Sequence, residues 1–225
     1  FIPLYLQLVY GASATASGLR MLPLMLGLLT ASIASGRTIS RIGRYRMFPI
    51  AGTAILVAGM FLLSRLGAAT APSLASVYML VVGIGIGLVM QVLVLVVQND
   101  AQPENIGVAT STATFFRSVG GSFGVAIFGA IFASRLSHQL AHLPRNVVAR
   151  LGSGVQLSPA AARRLPPTVH ADFLQAFAHA LHGVFLWGMA ISIVPFALSW
   201  LLKEVPLRTT LHRSAELSAE QQAGS

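Results

Sequence analysis

The placement of charge constrains this chain more than any other feature. Sixteen uncharged residues, Met21 to Gly36, run into the segment Gly36-Arg37-Thr38-Ile39-Ser40-Arg41-Ile42-Gly43-Arg44-Tyr45-Arg46, and eighteen more, Met47 to Ser64, follow it. That short segment holds four of the fifteen basic residues. A helix needs about 20 mainly apolar residues to cross a hydrocarbon core roughly 30 Å thick. Only 9% of the 225 residues are charged and 55% are hydrophobic, against about 25% charged in soluble domains. Inside a bilayer the backbone must satisfy its own hydrogen bonds, and these runs are too long and continuous for strands. The chain is therefore expected to be an all-α integral membrane protein.

Five full spans and one partial one can be laid out. The first, residues 1–10, is a truncated helix, because the chain opens inside an apolar run, FIPLYLQLVY, with no basic n-region of a signal peptide. Small residues from Gly11 to Gly18 form a turn. The next spans are 19–36, 47–66, 74–98 and 106–134, separated by the arginine segment, by a break from Gly67 to Ser73, and by a polar turn from Asn99 to Asn105. A long polar segment, 135–172, carries Pro144, Pro159, Pro166 and Pro167 and precedes a last span, 173–202. Residues 203–225 form a soluble tail. Residues 1–202 thus read as one transmembrane domain.

The net charge of +9 would suit nucleic acid, but most basic residues stand between apolar runs rather than on a soluble surface, so no nucleic-acid partner is expected. Lysines and arginines in short loops orient a membrane protein with those loops inside. The four arginines and the tail residues Lys203, Arg208 and Arg213 fall on one side by parity, which makes that side and the C-terminus cytoplasmic. The turn holding Asp100 and Glu104 shares that side without basic residues. The opposite segment carries Arg135, Arg145, Arg150, Arg163 and Arg164, but long loops orient weakly. With no cysteine there is no disulfide framework and no thiolate metal site.

Several residues stand out within the spans. Arg117 lies eleven residues past Ile106, about 16 Å along a helix and near mid-membrane, where a charge faces the bundle interior or water. It serves either function or as a structural pin bonded to carbonyls. Phe115 and Phe116 beside it could stack on flat hydrophobic ligands or simply pack. Gln91 needs a partner in hydrocarbon and faces either a cavity or a neighbouring helix. Gly107, Ser111, Ser118, Gly120, Gly121, Gly124 and Gly129 line one small-residue stretch, with Gly120 and Gly124 at G-x-x-x-G spacing, which suits close helix packing. Gly83-Ile84-Gly85-Ile86-Gly87 lacks the spacing and the strand of a phosphate loop and also reads as packing. Gly120-Gly121-Ser122-Phe123-Gly124 matches G-x-S-x-G, but that motif requires a strand–turn–helix; an intramembrane serine protease with His179 or His182 as base is the rival of another class. The histidine pairs 179/182 and 138/142 share helix faces, yet no third ligand has an obvious spacing, so no metal site is expected.

Gly36, Arg41, Gly43 and Arg44 match the G-x-x-x-D-R-x-G-R-R loop signature of the major facilitator superfamily, with Ser40 in the acidic position. The order PLYLQLVYGASATASGLRMLPLM, the arginine segment, MQVLVLVVQN and GVATSTATFFRSVGGSFGVAIFGAIF closely resembles the fourteen-span drug:proton antiporters of the EmrB/QacA type. The likeness runs from residue 1 to about 136 and resumes weakly in the last span. It implies that the six spans are the C-terminal half of a major facilitator fold, in the bacterial inner membrane, with the N-terminal half as their partner. It also implies a transporter rather than an enzyme, with proton-coupled efflux of small hydrophobic or cationic compounds by alternating access. No cofactor is expected beyond the proton gradient, and the proton-binding carboxylate would lie in the other half, since no Asp or Glu falls inside these spans. Gly36, Arg41, Gly43 and Arg44 would form a cytoplasmic latch. Gln7, Gln91, Phe115, Phe116 and Arg117 would line the substrate cavity. Ser40 could cap a short helix. A carrier of one metabolite or antibiotic in the same superfamily fits the sequence equally.

Overall fold

The computed structural model describes residues 1–140, 159–162 and 166–202. Every regular element among them is helical: α1 (Ile2–Val9), α2 (Ala14–Leu19), α3 (Leu22–Ile42), α4 (Met47–Ser64), α5 (Pro72–Asp100), a 3₁₀ turn (Pro103–Asn105), α6 (Ile106–Gln139), α7 (Pro159–Ala162) and α8 (Pro167–Ser199). Five of these stretches are long and apolar enough to cross a membrane, the first formed by α2 and α3 together and the others by α4, α5, α6 and α8. Proline sets the starts. Pro3, Pro23, Pro72 and Pro167 each stand at the first or second position of their helix, where the missing N–H costs no intrahelical bond.

α5 lies at the centre, with α3 on one side and α4 on the other; α4 also packs on α8, α8 on α6, and α6 touches α5. The main core gathers at one end. Tyr5, Leu6 and Leu8 of α1, Leu63 of α4 and Leu66 just after it, Met79 and Val82 of α5, Phe132 and Leu136 of α6, and Phe173, Phe177 and Leu181 of α8 are all buried there. The phenols of Tyr5 and Tyr10 donate to the carbonyls of Gly67 and Thr70, at 2.8 and 2.7 Å, and fasten α1 over the α4–α5 turn. At the opposite end the core is thin: Ile39, Tyr45 and Val92, with Phe48, Leu95 and Val96 against them. The outer face of α3 is lined by exposed Leu22, Met25, Leu26, Leu29 and Ile33, as a surface bathed in lipid should be.

The element bounds differ from the sequence reading at four places. The small-residue turn after α1 contains a helix, α2, whose N-cap Ser13 Oγ accepts from the Ala16 N–H at 3.1 Å. The arginine segment is not a loop along most of its length. α3 continues through Gly36, Arg37 and Arg41 to Ile42, because arginine is a good helix former and the one unfavourable residue, Gly36, is not enough to end it. α6 runs on to Gln139, and α8 begins at Pro167 rather than near 173. The expected loop residues Arg145, Arg150, Arg163, Arg164 and His142, with Pro144, and the tail with Lys203, Arg208 and Arg213, lie outside the described residues.

Candidate functional site

The signature segment is built by the last turns of α3 and the three residues that follow. Gly36 does not turn the chain; it sits inside α3 with the Gln91 side chain of α5 across it. Gly43 does turn it. Its φ of 72° is the left-handed conformation that ends helices, and its N–H bonds the Ile39 carbonyl at 2.8 Å. Ser40 Oγ donates to the Gly36 carbonyl at 2.9 Å, one turn back, so it caps no helix start. Arg37, Arg41 and Arg44 are exposed and make no hydrogen bond or ion pair among the described residues. Tyr45 is buried against Ile39 and Val92.

Arg46, outside the matched signature, makes the long-range bond. Its Nη2 donates to the Trp200 carbonyl at 2.8 Å, 154 residues away, at the C-cap of α8. A guanidinium suits a helix C-terminus, where carbonyls are unpaired and the dipole is negative. Its Nε is buried without a partner among the described residues. No local pattern announces such a bond; only the expected charge preference of a helix end could have suggested it.

The five cavity candidates do not form one cluster. Gln7 Nε2 donates to Ser17 Oγ at 3.2 Å and serves to hold α1 on α2. Gln91, nine residues before the end of α5, and Phe115, nine after the start of α6, stand at matching depths of about 14 Å from the α5–α6 turn. Phe115 and Phe116 are 63% and 66% exposed, with ring centroids 5.7 Å apart and edge-on. Arg117 is exposed beside them and bonds nothing among the described residues, so no internal structural pin is formed among them. Space is open around Gly107, Gly120, Gly121, Gly124 and Gly129, where no heavy atom lies within 4 Å of an added Cβ. The packing expected of Gly120, Gly121 and Gly124 thus finds no partner among the described residues. α6 buries only Phe132 and Leu136, so most of its length presents this face of glycine, phenylalanine and Arg117 outward.

The seam lies elsewhere. A methyl group on Gly83 or Gly87 would strike the Leu24 or Leu28 carbonyl of α3, and one on Gly85 would lie 2.8 Å from the Leu56 N of α4. Gly27 on α3, and Gly52 and Gly59 on α4, face α5 as closely. Ser32 Oγ adds a bond to the Gly87 carbonyl at 3.0 Å across the seam. The glycine repeat of α5 packs, as its sequence suggested.

A serine-protease constellation is not assembled. Ser122 Oγ donates to Ser118 within α6 at 3.0 Å, and the Nδ1 atoms of His179 and His182 are engaged by the Gln175 and Ser64 carbonyls, at 3.0 and 2.6 Å. Among the described residues no three His, Cys, Asp or Glu side chains group as metal ligands.

Comparison with known proteins agrees with this architecture. An uncharacterized MFS-type transporter of Mycobacterium tuberculosis is 47% identical over 221 residues, covering 96% of this chain and 31% of its own length. The multidrug transporter protein MdtP of Bacillus subtilis is 36% identical over 140 residues, 62% of this chain and 26% of its own. A tetracycline resistance determinant of Streptomyces rimosus is 29% identical over 249 residues, covering 100% of this chain and 71% of its own. The chain spans about a third of the length of the mycobacterial relative. The sequence model of the Major Facilitator Superfamily matches residues 1–125, more than half of the chain, and with these five membrane-crossing stretches the chain belongs to that superfamily.

Proposed function

We propose that this chain is the C-terminal half of a proton-driven exporter of the fourteen-span antiporter type, moving amphipathic or cationic hydrophobic compounds out of a bacterial cell by alternating access. The observation that carries the reading is the outward face of α6. A guanidinium about 16 Å into a span is too costly to leave against lipid. Arg117 therefore faces a water-filled cavity, walled on this side by Phe115, Phe116 and the depth-matched Gln91 and on the other by an N-terminal half. The aromatic pair offers apolar faces to flat hydrophobic substrates. The arginine end, with Arg41 and Arg44 exposed, is the cytoplasmic side, where those residues would engage the other half in one state of the cycle. The proton is carried by a carboxylate of that half. The names of the Bacillus and Streptomyces relatives, a multidrug transporter and a tetracycline resistance determinant, support export of drug-like compounds.

The test uses the full-length transporter in inverted membrane vesicles energised with a proton gradient and given a cationic fluorescent dye on the outside. Dye uptake should collapse with a protonophore. Arg117→Ala should slow it by about tenfold or more, roughly 1.4 kcal/mol, at unchanged protein level in the membrane. Transport by the Arg117→Ala variant at the parent rate would overturn the cavity assignment. Movement of one compound alone, among many tried, would favour the single-metabolite carrier.

A further inference from the structure

A second site lies at the far end of the molecule from the arginine segment, between α4 and α8. Ser64, Arg65, Leu66, Gly67, Gln175, His179 and His182 line a cavity of about 350 Å³ there. The terminal carbonyls of α4 are already occupied. Phe61 O accepts from Ser64 Oγ, Leu62 O and Leu63 O from the N–H groups of Arg65 and Leu66, and Ser64 O from His182 Nδ1. A carbonyl only accepts, so His182 is protonated on Nδ1, and the same holds for His179 on the Gln175 carbonyl. Each ring then presents Nε2 away from its backbone partner.

The charges around this cavity are of one sign. Arg65 lies over the Phe61 ring, its guanidinium carbon 4.8 Å from the centroid, and makes no ion pair among the described residues. Arg135 of α6 rests against Gly183 but lines a separate cavity with Ile131, Trp187 and Ile191. Tyr5 of α1 and its C-cap Tyr10 donate to carbonyls of the adjoining α4–α5 turn. The one acid on this stripe of α8, Asp172, is two turns above His179, about 10 Å, and does not line the cavity. A cation is disfavoured here; an anion is not.

The level of the site names the anion. α4, 18 residues long, spans about 27 Å, and His182 is 17 residues, about 26 Å, from Ser199 at the other end of α8. Both helices thus place Arg65, His179 and His182 at the boundary of a roughly 30 Å core, the level of phospholipid phosphates. We infer that this cavity binds a phosphate group, held by Arg65, with His179 and His182 lining the site.

The chain purified in nonionic detergent is titrated with phosphatidylglycerol, with diacylglycerol and with inorganic phosphate. Binding is read by native mass spectrometry and by the shift of the thermal unfolding midpoint. Phosphatidylglycerol should bind and raise the unfolding midpoint. Arg65→Gln, which removes no polar contact of the described fold, should weaken it by about tenfold with an unchanged midpoint in the absence of lipid. His179→Gln should lower the affinity. Inorganic phosphate binding with the same Arg65 dependence, while phosphatidylglycerol fails to bind, would assign the site to free phosphate instead of a lipid headgroup. Diacylglycerol binding as well as phosphatidylglycerol, or Arg65→Gln binding as the parent does, would overturn the inference.

Discussion

α5 and α6 carry similar glycine-rich sequences and meet opposite surroundings. Gly83, Gly85 and Gly87 of α5 lie against backbone atoms of α3 and α4, while Gly120, Gly121 and Gly124 of α6 have nothing within 4 Å of an added Cβ. Small residues permit two helices to approach; they do not bring a partner. On α5 the partner offers its own small residues, Gly27, Gly52 and Gly59, and a hydroxyl, Ser32, in register. On α6 the neighbouring side chains are Phe115, Phe116 and Phe123, all more than 60% exposed. One stripe closes a seam within this chain, and the other is left uncovered by the described residues.

The sharpest way to break that contrast is to add a methyl group to each stripe. Gly83→Ala drives a Cβ onto the Leu24 carbonyl, and backbone cannot yield as a side-chain tip can. The cost should be about 3 kcal/mol, the upper range for overpacking, or failure to fold. Gly120→Ala meets open space and should stabilise the chain by about 0.5–1 kcal/mol, the difference in helix propensity. Denaturant unfolding in detergent reads both. Equal effects would erase the distinction between closed seam and open face.

Much of the fold was legible because membrane spans announce themselves by length and charge. The five crossing stretches and the packing role of the Gly83–Gly87 repeat follow from runs of apolar and small residues. The sites were less legible. Nothing in composition distinguishes Gly85 from Gly121, since the difference lies in what another helix supplies. The arginine segment read as a loop because its charges drew attention, yet arginine is a good helix former and the stop signal was Gly43 alone. Gln7 read as a cavity residue, but Ser17, ten residues on, satisfies it at 3.2 Å. Arg46 and Trp200 meet across 154 residues, a separation at which sequence spacing carries no information.

That bond gives the next test, because it contrasts the tied and untied arginines of one segment. Arg46→Ala removes the donor to Trp200 O and should cost about 1–2 kcal/mol, as for a hydrogen bond to a charged group. Arg44→Ala, from an exposed side chain without a described partner, should fall within about 0.5 kcal/mol. The same unfolding measurement in detergent separates them. A larger loss at Arg44 would mean that the segment is held by contacts other than the bond to α8.

The smallest expected effect concerns the two glycines of the signature, which the structure treats differently. A glycine shared by a motif is commonly credited with a turn. Gly36 makes none: it is helical, and an added Cβ would stand 3.5 Å from Gln91 Cγ, ordinary contact with a flexible side chain. Gly36→Ala should therefore change stability by under about 0.5 kcal/mol, with helix propensity in its favour. Gly43 has open space around it but a φ of 72°, so Gly43→Ala is opposed by the backbone and should cost about 1 kcal/mol. If Gly36→Ala leaves the fold intact yet slows transport by the full-length protein, Gly36 is needed because another helix must come close to Gln91 in a different state of the cycle. If both readouts are unchanged, Gly36 is dispensable and Gly43 alone shapes the segment.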